Sequence, residues 1–238
     1  MLTFFSDLQR RHQTPYVVNQ GEHQASYDCA ERPDAILAAL SGAGWGPPMA
    51  PGEMGLAPLH AVHDRGMVDF LRTAYAHHRA GGGAEPAVFP SFAAPPGQRR
   101  RPESFEGRKG FYCVDLEVPI SETTWDAALA SVSSAWAGAR ALLNGADLAY
   151  ALCRPPGHHA GPDFMGGYCY LNNAAVAAAV LRDAGQDRVA IVDIDCHHGN
   201  GTQAIFYSDP TVAYGSIHID PNRAYPFFAG YADEVGEG

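Results

Sequence analysis

Two adjacent histidines, His158 and His159, follow an apolar run at residues 148–153 and the rigid sequence Arg-Pro-Pro-Gly at 154–157. The apolar run is typical of a strand, so both imidazoles lie at a strand exit, where open α/β sheets bind their ligands. Imidazole suits general acid and base chemistry because its ordinary pKa lies near neutrality. Many histidines are only surface or core residues, so a structural role is the alternative. The pair is a candidate for proton transfer.

Two carboxylates and a third imidazole follow the next apolar run, at residues 188–194. Asp193, Asp195 and His197 are spaced two residues apart. Side chains alternate along a strand, so these three share one face, and burying such a set without a cation would be unfavourable. Carboxylate oxygens and neutral imidazole nitrogens are ligands for Zn²⁺ or a similar divalent ion. A solvated polar loop after a strand is the alternative interpretation.

The elements that must position these residues alternate regularly. The pattern predicts strands at 148–153, 188–194 and 211–219, a helix at 172–184 and a helical turn at 201–207. Continuous apolar strands in strand–helix–strand order predict an α/β fold with a mainly parallel sheet covered on both faces. A glycine–aromatic turn at 166–173 leads into the helix at 172–184, and Tyr168 in that turn is equally compatible with a core position.

The N-terminal half is less regular. Helical spacing predicts helices at 33–40, 61–76 and 127–143, and Thr123 begins a capping pattern before the last of these. The segment 80–110 is rich in glycine and proline and is predicted to be a long loop, a feature that is often functional.

Composition excludes several classes of protein. The chain has 238 residues, of which 46% are hydrophobic, which is enough for a substantial core and argues against disorder. Its net charge of −10 and a single basic run at 99–101 argue against nucleic-acid binding. No apolar stretch is long enough to cross a membrane and the N-terminus is charged, so a cytoplasmic protein is expected. Five cysteines without CxxC spacing predict neither a disulfide framework nor a thiolate zinc site.

Three motifs together resemble the zinc-dependent histone deacetylase superfamily. They are Arg-Pro-Pro-Gly-His-His at 154–159, Gly-Tyr-Cys-Tyr-Leu-Asn-Asn at 167–173 and Asp-Ile-Asp-Cys-His-His-Gly-Asn-Gly-Thr at 193–202. The N-terminal loops, Glu106, Glu117 and Tyr225 are most similar to the bacterial acetylpolyamine amidohydrolase branch. The resemblance implies an arginase/deacetylase-type three-layer α/β fold, with residues 1–238 forming a single domain.

The resemblance also implies roles for the strand-end residues. Asp195 and His197 would bind the catalytic Zn²⁺, which polarises the acetyl carbonyl and a water molecule. His159 would act as general base and then as general acid, with His158 as its electrostatic partner.

Further groups would orient these residues and bind substrate. Asp193 would orient His158, and Asn200 would orient His159. A structural K⁺ would be held by the side chains of Asp193 and Ser216 and the backbone carbonyls of Asp195, His197 and Ile217. The tunnel that grips the acylated amine would be formed by Gly167, Tyr168, Tyr225, Glu106 and Glu117.

Two groups of the family pattern find no matching residue in this chain. They are a second zinc aspartate and the tyrosine that completes the oxyanion site. The carboxylates that might substitute for that aspartate, Asp220, Asp233 and Glu234, are not at strand ends. A family domain would need roughly three more β–α units of about 30 residues each. We therefore expect the domain to be C-terminally incomplete at Gly238.

The expected activity is hydrolysis of the acetyl amide of acetylpolyamines or similar acylated amines. The alternatives are a deacetylase of acetyl-lysine proteins and an inactive family member that at most binds metal. An arginase-like binuclear manganese hydrolase is disfavoured, because the order Asp193, Asp195, His197 does not match the Asp-x-His-x-Asp expected there. Loops of this kind often form dimers in the polyamine branch, so a homodimer is a further expectation.

Overall fold

A computed structural model describes residues 1–19, 21–94 and 100–237. The first arginine of the basic run 99–101, five positions of the predicted loop 80–110 and the terminal Gly238 lie outside the described residues. The strands are β1 (Leu2–Phe4), β2 (Val17–Asn19), β3 (Glu22–Gln24), β4 (Ala87–Val88), β5 (Ile120–Ser121), β6 (Ala149–Ala151), β7 (Val189–Asp193) and β8 (Val212–Ser216). The helices are α1 (Arg32–Gly42), α2 (Ala57–His60), α3 (Arg65–Ala80), α4 (Phe105–Tyr112), α5 (Thr124–Leu143), α6 (Asn173–Asp183) and α7 (Asn200–Phe206), and a 3₁₀ helix spans Asp7–Arg11. None of the described helices is long and apolar enough to span a membrane.

The predicted alternation of strands and helices in the C-terminal half is confirmed. β7 pairs in parallel with β8, with Asp193 opposite Ser216, and β1 pairs in parallel with β6. β2–β3 and β4–β5 are antiparallel pairs. Because β7 and β8 are parallel, their carboxyl ends meet at one edge, and residues 193–202 and 216–218 leave the sheet there.

In the described residues, one face of β7 packs against the core and its other face is exposed. Val189 and Ile191 pack against the core, whereas Val192 is 71% exposed and Ile194 79% exposed. Side chains alternate along a strand, so the inner set joins the core while the outer set faces solvent in the described part of the chain. Ile217, just after β8, is 74% exposed on the same side of this alternation.

Small side chains allow α5 and α6 to pack closely in the core. Ala128 and Val132 of α5 and Ala175 and Val176 of α6 are all buried in one hydrophobic cluster. α5 is buried on most sides, because most residues of its first four turns are buried.

Two N-terminal predictions need correction. Thr123 is the residue before α5, but its backbone is helical and its hydroxyl donates to the backbone carbonyl of Arg11 at 2.7 Å, so it does not cap the helix. The predicted loop 80–110 contains β4 and the first part of α4. Ser104 precedes α4, and its hydroxyl oxygen accepts a hydrogen bond from the Gly107 amide.

Candidate active site

The two histidines at the exit of β6 each face a different polar side chain from the edge of β7. His158 Nδ1 lies 2.9 Å from Asp193 Oδ2, and His159 Nδ1 lies 2.7 Å from Asn200 Oδ1. The two rings are neighbours, with centroids 4.0 Å apart. An amide oxygen only accepts, so His159 Nδ1 donates to it, and the neutral ring carries no proton on Nε2. The structure therefore brings the sequence-predicted pairs together.

The pKa values of His159 and Asp193 are both lowered, but for different physical reasons. Burial, reinforced by the neighbouring His158, lowers the pKa of His159 to about 3, so this ring is neutral near pH 7. Burial alone would raise the pKa of Asp193, but the hydrogen bond and charge of His158 outweigh it and hold that pKa below the usual range. The Tyr214 hydroxyl also donates to Asp193 Oδ2, at 3.1 Å. Asp193 is thus an ionised carboxylate behind His158.

Asp195 and His197 form a small, accessible donor set beside the histidine pair. Asp195 Oδ1 lies 3.3 Å from His197 Nδ1, and these atoms and Cys196 Sγ all lie within 4.8 Å of one another. The His197 and His159 ring centroids are 6.1 Å apart. One carboxylate and one imidazole fit the ligand preference of Zn²⁺. The side chains of Asp195 and His197 are 50% and 43% exposed in the described part of the chain.

The residues predicted to hold K⁺ lie together at the β7–β8 edge. Asp193 and Ser216 are register partners, and the Ile217 amide donates to the Asp193 carbonyl at 2.9 Å. The Ser216 hydroxyl lies 2.9 Å from His218 Nδ1, a neighbour that the sequence did not indicate.

Of the residues predicted to line a substrate tunnel, Gly167 and Tyr225 lie against His159, Tyr168 follows Gly167 in the same turn, and Glu106 is elsewhere. The Tyr225 ring stands edge-on to His159, with centroids 4.7 Å apart, and Gly167 and Tyr168 adopt left-handed backbone conformations with φ of 50° and 64°. Burial and the nearby charge of Glu117 raise the pKa of Tyr168 to about 12, so its phenol is neutral. Glu106 is an exposed residue that forms an ion pair with Lys109 at 2.7 Å; the structure does not bring it to this site.

A buried arginine that the sequence analysis did not single out fixes the backbone before the histidine pair. Arg154 Nε contacts Asp28 Oδ1 at 3.1 Å, and its guanidinium also donates to the backbone carbonyls of Gln9 and His12. Its own backbone amide donates to Gln9 Oε1 at 2.7 Å. These bonds attach the β6 exit to the N-terminal segment. An arginine directly after an apolar strand was the available signal.

A second missed residue, His63, supports the loop that carries the pair. Its Nδ1 donates to the Gly161 carbonyl at 2.8 Å, and its Nε2 accepts from the Asn172 amide at 2.9 Å. Burial lowers the pKa of His63 to about 4, which keeps the ring in the neutral form that this arrangement requires. The Asn172 side chain then caps α6 and donates to Thr202 at 3.0 Å. His63 thereby links the loop to α6 and α7.

A third missed residue is Asp115. Its Oδ2 accepts hydrogen bonds from the Gly167 amide at 2.7 Å and from the Tyr225 hydroxyl at 2.8 Å. No motif marked this aspartate, because its partners lie more than fifty positions away along the chain.

Comparison with known proteins agrees with this geometry. Residues 26–238 match the model of the histone deacetylase domain. Acetylpolyamine amidohydrolase 1 of Pseudomonas aeruginosa is 44% identical, over all of this chain and 69% of that protein, and acetylpolyamine amidohydrolase of Mycoplana ramosa is 44% identical, over all of this chain and 70% of that protein. The crystal structure of acetylpolyamine aminohydrolase from Burkholderia pseudomallei superposes with a TM-score of 0.93 at 40% identity, covering all of this chain and 69% of that one.

These matches confirm both the deacetylase-type α/β fold and the predicted likeness to the acetylpolyamine branch. Enzymes of this family are zinc-dependent hydrolases. The chain therefore belongs to the histone deacetylase family and is, by that membership, a deacetylase-type hydrolase.

Proposed function

We propose that this chain hydrolyses the acetyl amide of acetylpolyamines or similar small acylated amines. The observation that carries the proposal is His159, a buried neutral imidazole whose Nδ1 is fixed by Asn200 beside the donor pair Asp195 and His197. Such an arrangement leaves Nε2 of His159 free to take and return a proton. The relatives named for acetylpolyamines align with the whole of this chain, which supports the same substrate class here.

The two histidines would share the proton transfers of amide hydrolysis. Nε2 of His159 accepts a proton from the attacking water and later delivers it to the leaving amine. His158, whose Nδ1 lies beside the ionised Asp193, would be the electrostatic partner of His159. The Asn200 amide oxygen keeps the His159 proton on Nδ1 throughout.

Asp195 and His197 are the residues that would hold Zn²⁺ in this chain. Zinc, when bound, supplies Lewis-acid polarisation of the acetyl carbonyl and of water. The side chains of Asp193 and Ser216, with the backbone carbonyls of Asp195, His197 and Ile217, would hold a structural K⁺ below that site.

The surroundings of His159 suit a slender cationic amine. Gly167, Tyr168 and Tyr225 would form the walls of the substrate tunnel around an aliphatic chain, and Glu117, a half-buried residue close to Tyr168, would attract its ammonium group. The net charge of −10 favours cationic ligands in general. A bulky protein substrate gains less from a narrow acidic entrance.

The test is a comparison of kcat/KM on N-acetylputrescine and on an acetyl-lysine peptide, using the zinc-loaded chain. N-acetylputrescine should be the better substrate, and Glu117→Gln should reduce its kcat/KM while leaving that of an uncharged N-acetyl alkylamine unchanged. Glu122→Gln, which removes an exposed carboxylate at the start of α5, is the matched control. Faster turnover of the peptide would contradict the proposed substrate class.

Zinc binding is measured separately from turnover. Stoichiometric zinc in the wild-type chain, lost in Asp195→Ala and in His197→Ala, is the expected result. Zinc binding without turnover of either substrate would instead support the inactive, metal-binding alternative. A homodimer and a cytoplasmic location stay predictions.

A further inference from the structure

We propose that Asp115 is a positioning residue for this reaction: one of its carboxylate oxygens joins the two walls of the substrate tunnel and thereby fixes how they contact His159. The inference rests on the proposed function, because it assigns Asp115 a role in that tunnel. Asp115 follows α4. Its hydrogen bonds to Gly167, Tyr225 and Glu117 involve none of the residues that we propose as zinc ligands or proton carriers.

The first wall is held by an interrupted backbone ladder. The Met165 amide donates to the Tyr112 carbonyl at 2.7 Å, and the Val114 amide donates to the Met165 carbonyl at 2.9 Å. At the next step the Gly167 amide donates to Asp115 Oδ2 at 2.7 Å, so a side-chain oxygen takes the place of a backbone carbonyl. The ladder thus ends on a carboxylate at the point where the chain turns.

That turn needs an anchor because it is conformationally strained. Gly167 and Tyr168 have φ of 50° and 64°, and a left-handed conformation is unfavourable for any residue with a side chain, including Tyr168. A charged acceptor forms a stronger hydrogen bond to a backbone amide than a neutral carbonyl does. Burial raises the pKa of Asp115, the hydrogen bonds from Gly167, Glu117 and Tyr225 oppose that rise, and the carboxyl group anchors the turn through them.

The second wall reaches the same oxygen from a distant part of the chain. The Tyr225 hydroxyl donates to Asp115 Oδ2 at 2.8 Å across a separation of 110 residues. Burial and the adjacent Asp115 charge raise the pKa of Tyr225 far above its usual value, so the phenol keeps its proton and remains a donor. One oxygen atom therefore sets the spacing between the turn and the Tyr225 ring.

Both walls press on His159. A methyl group placed on the Gly167 Cα would lie 2.4 Å from His159 Cδ2 and 3.0 Å from Tyr225 Cε1, so no slack exists between them. The Tyr225 ring is perpendicular to His159, at an interplanar angle of 89°. A shift of either wall is consequently transmitted to the imidazole. Asp115 Oδ1 also accepts from the Glu117 amide at 2.9 Å, which ties the acidic entrance to the same carboxylate.

The test compares Asp115→Ala and Asp115→Asn with a matched control, Asp209→Ala. Asp209 is also half-buried and accepts from a backbone amide and a hydroxyl, both of Thr211, but it precedes β8 at the end opposite to the site. We expect kcat/KM on N-acetylputrescine to fall about 100-fold in Asp115→Ala, the effect of a displacement near 1 Å. Asp115→Asn should recover part of this loss, because the amide oxygen still accepts from one donor, and the control should match the wild type.

A second readout does not depend on turnover. In a chain labelled with ¹³C-histidine, the Cδ2–H resonance of His159, assigned with His159→Gln, should shift in Asp115→Ala and shift similarly in Tyr225→Phe. It should not shift in Asp209→Ala. Adding Tyr225→Phe to Asp115→Ala should cause little further change, because both remove the same hydrogen bond. If Asp115→Ala does not fold, Asp115→Asn and Tyr225→Phe carry the test alone.

The outcomes separate this inference from the proposed function. A folded Asp115→Ala chain with a wild-type His159 resonance and wild-type kcat/KM, changed only in thermal stability, would overturn the positioning role. A wild-type chain that turns over neither amine nor peptide would overturn the proposed function, and the resonance would still decide the role of Asp115.

Discussion

Replacing Gly167 with alanine tests whether the wall beside His159 is as closely packed as the structure shows. The added methyl would lie 2.4 Å from His159 Cδ2, whereas carbon atoms prefer a separation of about 3.5–4.0 Å. Either the imidazole or the turn must therefore move by about 1 Å. Alanine at a φ of 50° also introduces left-handed strain of about 1–2 kcal/mol.

These two effects have different consequences, and they can be separated. A displacement of about 1 Å at a catalytic group costs about 100-fold in rate, so kcat/KM of Gly167→Ala should fall by about that factor. The clash should reduce the free energy of unfolding by about 1–3 kcal/mol beyond the strain. Gly145→Ala is the matched control, because Gly145 has φ of 93° with no atom within 4 Å of the added methyl.

The measurements are kcat/KM on N-acetylputrescine and urea unfolding for both variants and the wild type. Gly145→Ala should lose about 1–2 kcal/mol of stability and no activity. If Gly167→Ala retained wild-type kcat/KM, the imidazole would have room to spare, and the reasoning about the tunnel walls would fail.

Three other residues give sharp predictions. Arg154→Met should lower the free energy of unfolding by about 3–5 kcal/mol in urea, since it leaves a buried carboxylate unpaired. Asn200→Ala should reduce kcat/KM about 10–100-fold by freeing the His159 ring, whereas exposed Asn222→Ala should not. His63 has a pKa of about 4 when folded and 6.5 ordinarily, so the unfolded state binds more protons below pH 6.5. The free energy of unfolding of the wild type should then fall as pH drops from 6.5 to 5, by up to about 1.4 kcal/mol per pH unit from this residue. In urea unfolding, the free energy of His63→Gln should change less with pH.

The part of the site that could be predicted from sequence is the part that local rules govern. One apolar run placed Asp193, Asp195 and His197 at the end of a strand, and another placed His158 and His159 at a strand exit. Each inference needs only a few consecutive residues, because a strand fixes the direction of its own side chains. The boundaries of β7, β8 and α6 follow from the same short-range patterns.

What could not be predicted depends on contacts between segments that are far apart in sequence. Asp115 meets Tyr225 across 110 residues, and Arg154 meets Asp28 across 126 residues. Nothing near either residue in the sequence specifies its partner. The role of Glu106 at the tunnel stays a prediction, since in the described chain its carboxylate pairs with Lys109 on α4.

The different partners of the two histidines explain how adjacent and chemically identical rings can serve unlike purposes. Asp193 is an ionised carboxylate 2.9 Å from His158 Nδ1, so it places a negative charge behind that ring. Asn200 is a neutral amide, so it orients His159 without adding charge, and burial then decides in favour of the neutral form.

A base must begin neutral to accept a proton, and the buried His159 meets that condition. The different roles of the two histidines therefore depend mainly on residues 193 and 200, which lie seven positions apart at the end of β7 and the start of α7. Because Asp193 ends β7 and Asn200 begins α7, the packing of residues 193–200 fixes which of the two rings can act as the base.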